Sequence, residues 1–163
     1  MTKKILIAYA SRYGSTEQVA QAIASELTIR GETVDVQPAA QVTALAAYDA
    51  VVLGSAVRYG QWLPEAVAFV NTHQAELNNK PTAIFTVHIL NTGADPDSVK
   101  ARTAYINAVR PQVKPGAEGF FAGRIDFSHM SVFDRMLCKL IKSPGGDLRD
   151  WPTIRSWSQS IFA

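Results

Sequence analysis

Apolar positions along this chain come in two alternating kinds of segment. Ile5-Leu6-Ile7-Ala8-Tyr9-Ala10 is a continuous apolar run, and Lys3 to Ala10 reads as a strand buried on both faces. Val19, Ala20, Ile23, Ala24 and Leu27 then recur at helical spacing. They predict a helix from Ser15 to Arg30, with Glu17, Gln18, Gln21, Ser25 and Glu26 on its wet face and Gly31 as its stop. Thr33 to Gln37 alternates, as an edge strand does. Gln41 to Tyr48 reads as a short Ala-rich helix, and Ala50 to Ser55 as a second fully apolar strand. Pro64 to His73 reads as a helix with proline in its first turn. Thr82 to Val87 is another buried strand, and Asp97 to Val109 a helix capped by Asp95 or Asp97. Gly119 to Arg124 is the last strand; Ser131 to Ile141 and Trp151 to Ile161 are closing helices.

Strands alternating with helices predict an α/β fold, a parallel sheet with helices on both faces. A polar second strand beside apolar first, third and fourth strands fits a five-stranded sheet of order 2-1-3-4-5. Its switch point then lies between the first and third strands. The 163 residues suit a single domain, residues 1–163. A lone cysteine, Cys138, leaves no internal disulfide and no cysteine-clustered metal site. A net charge of +2 gives no nucleic-acid footprint. The N-terminus enters a strand directly, without a leader or span, so a cytoplasmic protein is expected.

The first strand runs into Ser11-Arg12-Tyr13-Gly14-Ser15-Thr16, and this hydroxyl-rich loop opens a helix. Hydroxyls and free N–H groups at a helix N-terminus suit a phosphate, and Gly14 allows positive φ or close backbone approach. There is no G-x-G-x-x-G and no G-K-[ST], which points to a small monophosphate rather than a dinucleotide or a nucleoside triphosphate. An ordinary N-cap is the plainer alternative. At the switch point this loop faces Ser55-Ala56-Val57-Arg58-Tyr59-Gly60, which could set an aromatic ring against a planar cofactor. His88-Ile89-Leu90-Asn91 would supply the other wall. In Ser131 to Lys142, Val132, Phe133, Met136, Leu137, Leu140 and Ile141 share one face, with Arg135, Lys139 and Lys142 on another. That segment either covers the sheet or is a basic amphipathic surface for a membrane or an acidic porphyrin.

Ser11, Gly14 and Thr16 occupy the key positions of [ST]-x-[TxY]-G-x-[ST], the first-turn pattern of the flavodoxin-like family, which the chain resembles. The resemblance implies a flavodoxin-like three-layer sandwich whose first loop holds the phosphate of FMN. Ser55-Ala56-Val57-Arg58-Tyr59-Gly60 is similar to the S-[IV]-R-Y-G segment of menaquinone-dependent protoporphyrinogen oxidases. Phe133-Asp134-Arg135, Lys139-Leu140-Ile141, Gly145-Gly146-Asp147 and Asp150-Trp151 are similar to that family's late elements. The segment between Gly146 and Trp151 is shorter than the family's, and the first loop reads Ser-Arg-Tyr-Gly rather than Thr-Arg-Asp-Gly. The resemblance implies a flavin enzyme that passes hydrogen from protoporphyrinogen IX to a quinone; peripheral membrane contact is the expectation only on the basic-surface reading of Ser131 to Lys142. It leaves Arg58 as the candidate catalytic group, steadying a flavin anion or a substrate propionate. Two rivals are a flavodoxin-type electron carrier, usually more acidic than +2, and a binding module that holds no flavin.

Overall fold

A computed structural model describes residues 2–125, 131–140 and 146–163. Strands β1 (Lys4–Ala10), β2 (Thr33–Pro38), β3 (Ala50–Arg58), β5 (Thr82–His88) and β6 (Ala117–Ala122) form a parallel sheet of order β2-β1-β3-β5-β6. The short β4 (Gln61–Trp62) pairs antiparallel with the end of β3. Without β4 the order is the expected 2-1-3-4-5. β7 (Arg124–Ile125) and β8 (Gly146–Asp147) make a separate two-stranded ribbon.

The apolar strands are buried on both faces, and side chains alternate between two cores. Ile5, Ile7, Val52, Phe85 and Val87 pack with α1 (Ser15–Ile29) and α5 (Trp151–Ser160). Leu6, Ala8, Val51, Leu53 and Ile84 pack with α2 (Pro64–Asn79) and with Ile106, Val109 and Val113. Helices on both faces of the sheet make three layers.

Four elements depart from the sequence reading. Gln41 to Tyr48 is not a helix: one 3₁₀ turn spans Ala39–Gln41, and the chain then crosses to β3 with Leu45 and Tyr48 buried as anchors. The alanines favour a helix, but tertiary burial of Leu45 and Tyr48 overrides that local propensity. α2 runs past His73 to Asn79, because Leu77 adds another buried turn beyond the non-helical His73. The expected helix from Asp97 to Val109 is only α3 (Pro96–Thr103), capped by Asp95, followed by a 3₁₀ turn over Ala104–Ile106. α3 buries nothing, whereas Tyr105, Ile106 and Val109 are pulled into the core. The last sheet strand ends at Ala122 rather than Arg124. α4 (Val132–Leu140) falls within the predicted Ser131–Ile141 helix. Ile141, Lys142 and Gly145 lie outside the described residues.

Candidate functional site

The carboxyl ends of β1, β3 and β5 are adjacent, so the loops that leave them meet. Between them lies a cavity of about 490 Å³. That is within the ~300–1,000 Å³ range of small-molecule and cofactor sites. Ser11, Arg12, Tyr13, Ser15, Thr16, Ala56, Val57, Arg58, Tyr59, Gly60, His88, Ile89, Leu90 and Asn91 all line it.

The floor is the N-terminus of α1. Gly14 precedes the helix with φ 88°, a left-handed conformation that suits glycine, and no side chain caps the first turn. The first-turn amides have no partner within the helix and carry the positive end of its dipole. Ser11 Oγ accepts from Gly14 N at 3.1 Å, and Ser15 Oγ accepts from Arg124 N at 3.0 Å. Both hydroxyls therefore brace the loop and still hold a proton to donate. Thr16 differs: it is 1% exposed, and its Oγ1 has no hydrogen-bond partner among the described residues. A buried hydroxyl left unpaired costs about 1–3 kcal/mol. A partner arriving in the cavity would remove that cost.

Ser55 is not on the cavity wall. It is fully buried, donating from Oγ to the Ala56 carbonyl at 2.8 Å and accepting from Leu63 N at 2.9 Å. Its hydroxyl is a strut inside the β3–β4 turn and does not line the cavity. Gly14 likewise shapes the loop from behind the wall. Arg12 lines the cavity, but its guanidinium forks onto Glu65 of α2 at 2.8 and 2.9 Å. This bond raises the Arg12 pKa and holds the Glu65 carboxyl below the usual range.

The second wall is a hairpin. Arg58 pairs with Gln61, leaving Tyr59 and Gly60 as the two turn residues, with φ 55° and 73°. Positive φ at both positions is the type I′ pattern, whose twist matches the flanking strands. Tyr59 is held exposed at the cavity mouth, with the Arg58 guanidinium 5.0 Å from its ring centroid.

On the third wall His88 is buried, and its Nδ1 lies 2.7 Å from the Leu90 carbonyl. A carbonyl there requires the proton on Nδ1. Burial pushes the His88 pKa down, and nearby Arg102 adds to this, against the pull of the Leu90 carbonyl. His88 is therefore a neutral wall residue. Asn91, with φ 60°, donates to Tyr105 Oη at 2.7 Å, and Arg102 fastens the loop through the Asn91 and Gly93 carbonyls.

Seven wall residues were not anticipated from sequence: Leu63, Val87, Tyr105, Gly123, Arg124, Asp134 and Leu137. Gly123 sits where a Cβ would come within 2.7 Å of Val87 Cγ1 and 3.2 Å of Ser15 Oγ, so only glycine lets β7 pass this close to the floor. Asp134 comes from α4 and is buried. Tyr13 Oη donates to its Oδ2, and Arg58 Nη2 to its Oδ1 at 2.5 Å. Burial alone would raise the Asp134 pKa, but these two donors outweigh it and hold the carboxyl below its ordinary value. Sequence offered two signals for Asp134: the family-like Phe133-Asp134-Arg135 element, and a carboxylate between Phe133 and Leu137 in a helix otherwise rich in apolar side chains.

Among the described residues no cluster of His, Cys, Asp and Glu is arranged to hold a metal ion. No described helix is long and apolar enough to cross a membrane.

Residues 6–150 match a family model described as Flavodoxin domain. A Leishmania major protein named protoporphyrinogen IX dehydrogenase [quinone] is 27% identical over 176 residues, covering 98% of this chain and 75% of its own. An Escherichia coli K12 protein of the same name is 28% identical over 173 residues, covering 97% of this chain and 94% of its own. Among solved structures, a Lactobacillus acidophilus flavoprotein in complex with FMN aligns with a TM-score of 0.53 at 17% identity, over 73% of this chain and 93% of that one.

Proposed function

Since this chain belongs to the flavodoxin domain family, we propose that it is an FMN-dependent oxidoreductase that takes hydrogen from protoporphyrinogen IX and delivers it to a quinone. The observation that carries the cofactor reading is Thr16. Its buried, unpartnered hydroxyl stands at an uncapped helix N-terminus beneath the cavity. Ser11, Ser15 and Thr16, with the first-turn amides of α1, supply neutral donors for one phosphate, and no lysine or second glycine-rich turn prepares for a larger nucleotide. Ala56, Val57, Tyr59, Ile89 and Leu90 leave an apolar slot for a flat ring system.

Bound FMN supplies the hydride and single-electron chemistry that no protein side chain offers. The chain binds and orients. His88 keeps its proton on the Leu90 carbonyl and stays neutral. Arg58 is the one wall residue whose charge faces the mouth from the hairpin, where a propionate would arrive. The names of the full-length relatives support a porphyrinogen donor and a quinone acceptor. The exposed apolar side chains of α4, with Lys139 exposed on the same helix, suit peripheral contact with an anionic bilayer, where a lipid-soluble quinone resides.

The test has two stages. Flavin extracted from the purified protein should chromatograph as FMN; mainly FAD, or none, overturns the cofactor. Anaerobic mixing with protoporphyrinogen IX should then bleach the flavin. Arg58→Ala should keep its FMN and bleach roughly ten- to a thousandfold more slowly, on the order of 1.4–4 kcal/mol. Bleaching by dithionite but not by porphyrinogen in wild type would mark an electron carrier instead.

A further inference from the structure

Asp134 ties a helix to two separate walls of the cavity. A helix outside the three layers sends one carboxylate into the cavity, and that carboxylate takes two wall donors at once. One donor comes from the loop after β1 and the other from the end of β3. Both face the mouth, and both suit the carboxylate of a ligand equally well.

Among the described residues α4 has little else to hold it. Val132, Phe133, Met136 and Leu140 are 58–77% exposed, so its large apolar side chains are not packed on the core. Leu137 touches the cavity wall, and Ser131 Oγ caps Asp134 N at 3.1 Å. At nine residues α4 is well below the ~12–15 residues at which isolated helices become stable in water. Such elements are the ones that open locally. A cavity of about 490 Å³ that also holds FMN leaves little room for a tetrapyrrole unless something at its mouth moves.

We propose that Tyr13 and Arg58 form a carboxylate subsite, that Asp134 occupies it in the free protein, and that a substrate propionate displaces Asp134 and releases α4. The ligand class follows from the donor pair: a planar guanidinium fork and a phenol read a carboxylate, and Asp134 marks where its oxygens sit. The exchange is one carboxylate for another, so the donors are never left unpaired and Asp134 passes to water. The inference rests on the porphyrinogen reading above for the identity of the carboxylate, though not for the subsite itself.

The test is fluorescence titration of the FMN-loaded protein with protoporphyrin IX, a stable diacid, and with its dimethyl ester, in neutral detergent. The bound flavin spectrum reports that each variant is folded. Asp134→Asn and Asp134→Ser should bind the diacid about tenfold more tightly than wild type, because the competitor that keeps the subsite filled is gone. Neither should gain affinity for the diester, and adding Arg58→Ala should abolish the gain. A purely structural Asp134 would give the opposite sign, a loss. Unchanged or weaker diacid binding in both variants, or an equal gain for the diester, overturns the subsite. Flavin bleaching by protoporphyrinogen separates the two readings. Bleaching without the diacid gain sinks the subsite alone; the gain without bleaching sinks the porphyrinogen reaction and leaves a carboxylate site.

Discussion

The floor of the cavity and its mouth are built by different physics. The floor is made of backbone: a helix N-terminus, a left-handed glycine and a strand drawn close by Gly123, all standing on the buried core of β1 and the buried face of α1. Moving it would disturb Ile5, Ile7, Val19 and Ile23, which are inaccessible to solvent. The mouth is made of side chains. Tyr59 is exposed on a two-residue turn, and α4 is tied across by Asp134 to Tyr13 and Arg58. Burial makes the floor rigid and indifferent to which reaction is run above it. The mouth is held by a few charge-assisted bonds, so it is the part that can adapt to a particular substrate. On the function proposed above, the cofactor phosphate rests on the floor and substrate choice falls to the mouth.

The largest effect that would sharpen this contrast is at Thr16. Thr16→Val keeps the shape and removes the hydroxyl. If the hydroxyl meets a phosphate, FMN affinity should fall by about 1–3 kcal/mol, the scale of one lost hydrogen bond to a charged acceptor. The flavin-free protein should be as stable as wild type or slightly more so, since the variant removes an unpaired buried oxygen. Fluorescence titration and urea unfolding read the two quantities. Equal FMN affinity would make Thr16 a structural residue and weaken the whole view of the floor.

Sequence made the floor legible and the mouth only partly so. A buried strand, a hydroxyl-rich turn and a helix form one continuous signal, because backbone geometry is local. The β3–β4 hairpin was harder to see, since its turn is Tyr59-Gly60 rather than Asn-Gly and reads as loop. Ser55 reads as a ligand group because its neighbours line the cavity, yet its hydroxyl is consumed inside the turn. Gly123 reads as one more residue of a strand; its closeness to Ser15 and Val87 exists only after folding. Asp134 and Arg58 are 76 residues apart, and nothing local to either says that they pair. The missing helix at Gln41 to Tyr48 shows the converse, a local propensity that tertiary anchoring by Leu45 and Tyr48 overrides.

The third wall answers to pH, and here the expected effect is smaller. His88 is buried and neutral, with its folded pKa below the ordinary 6.5. The unfolded chain therefore takes up a proton that the folded chain refuses. Stability should fall as pH drops through about 6.5 toward the folded value, and the dependence should flatten below it. The slope is limited to about 1.4 kcal/mol per pH unit for one proton. The thermal midpoint of wild type between pH 7.5 and 5 should show this fall, and His88→Asn should reduce it. An identical pH profile in the variant would mean that His88 is protonated without cost, and the wall would not be the closed one described here.

The smallest expected effect on stability is the one that defines the mouth. Phe133 and Met136 lie on the exposed face of α4, and in an ordinary helix such side chains would be core. Burying a side chain of this size contributes about 1.5–3 kcal/mol, so two core positions changed to serine would cost several. Exposed positions away from special features change stability by about 0.5 kcal/mol or less. The double variant Phe133→Ser, Met136→Ser should therefore unfold at the same urea concentration as wild type and keep its FMN. If the face meets a bilayer, its loss should appear elsewhere. Wild type should sediment with vesicles containing anionic lipid, and the double variant should stay in the supernatant. Lys139, exposed on the same helix, makes the attraction depend on lipid charge and weaken with added salt. A large drop in stability would show that α4 packs like the rest of the fold, and the floor and mouth would no longer be distinct. Unchanged stability with no vesicle binding by either protein would keep that distinction and remove the membrane from it.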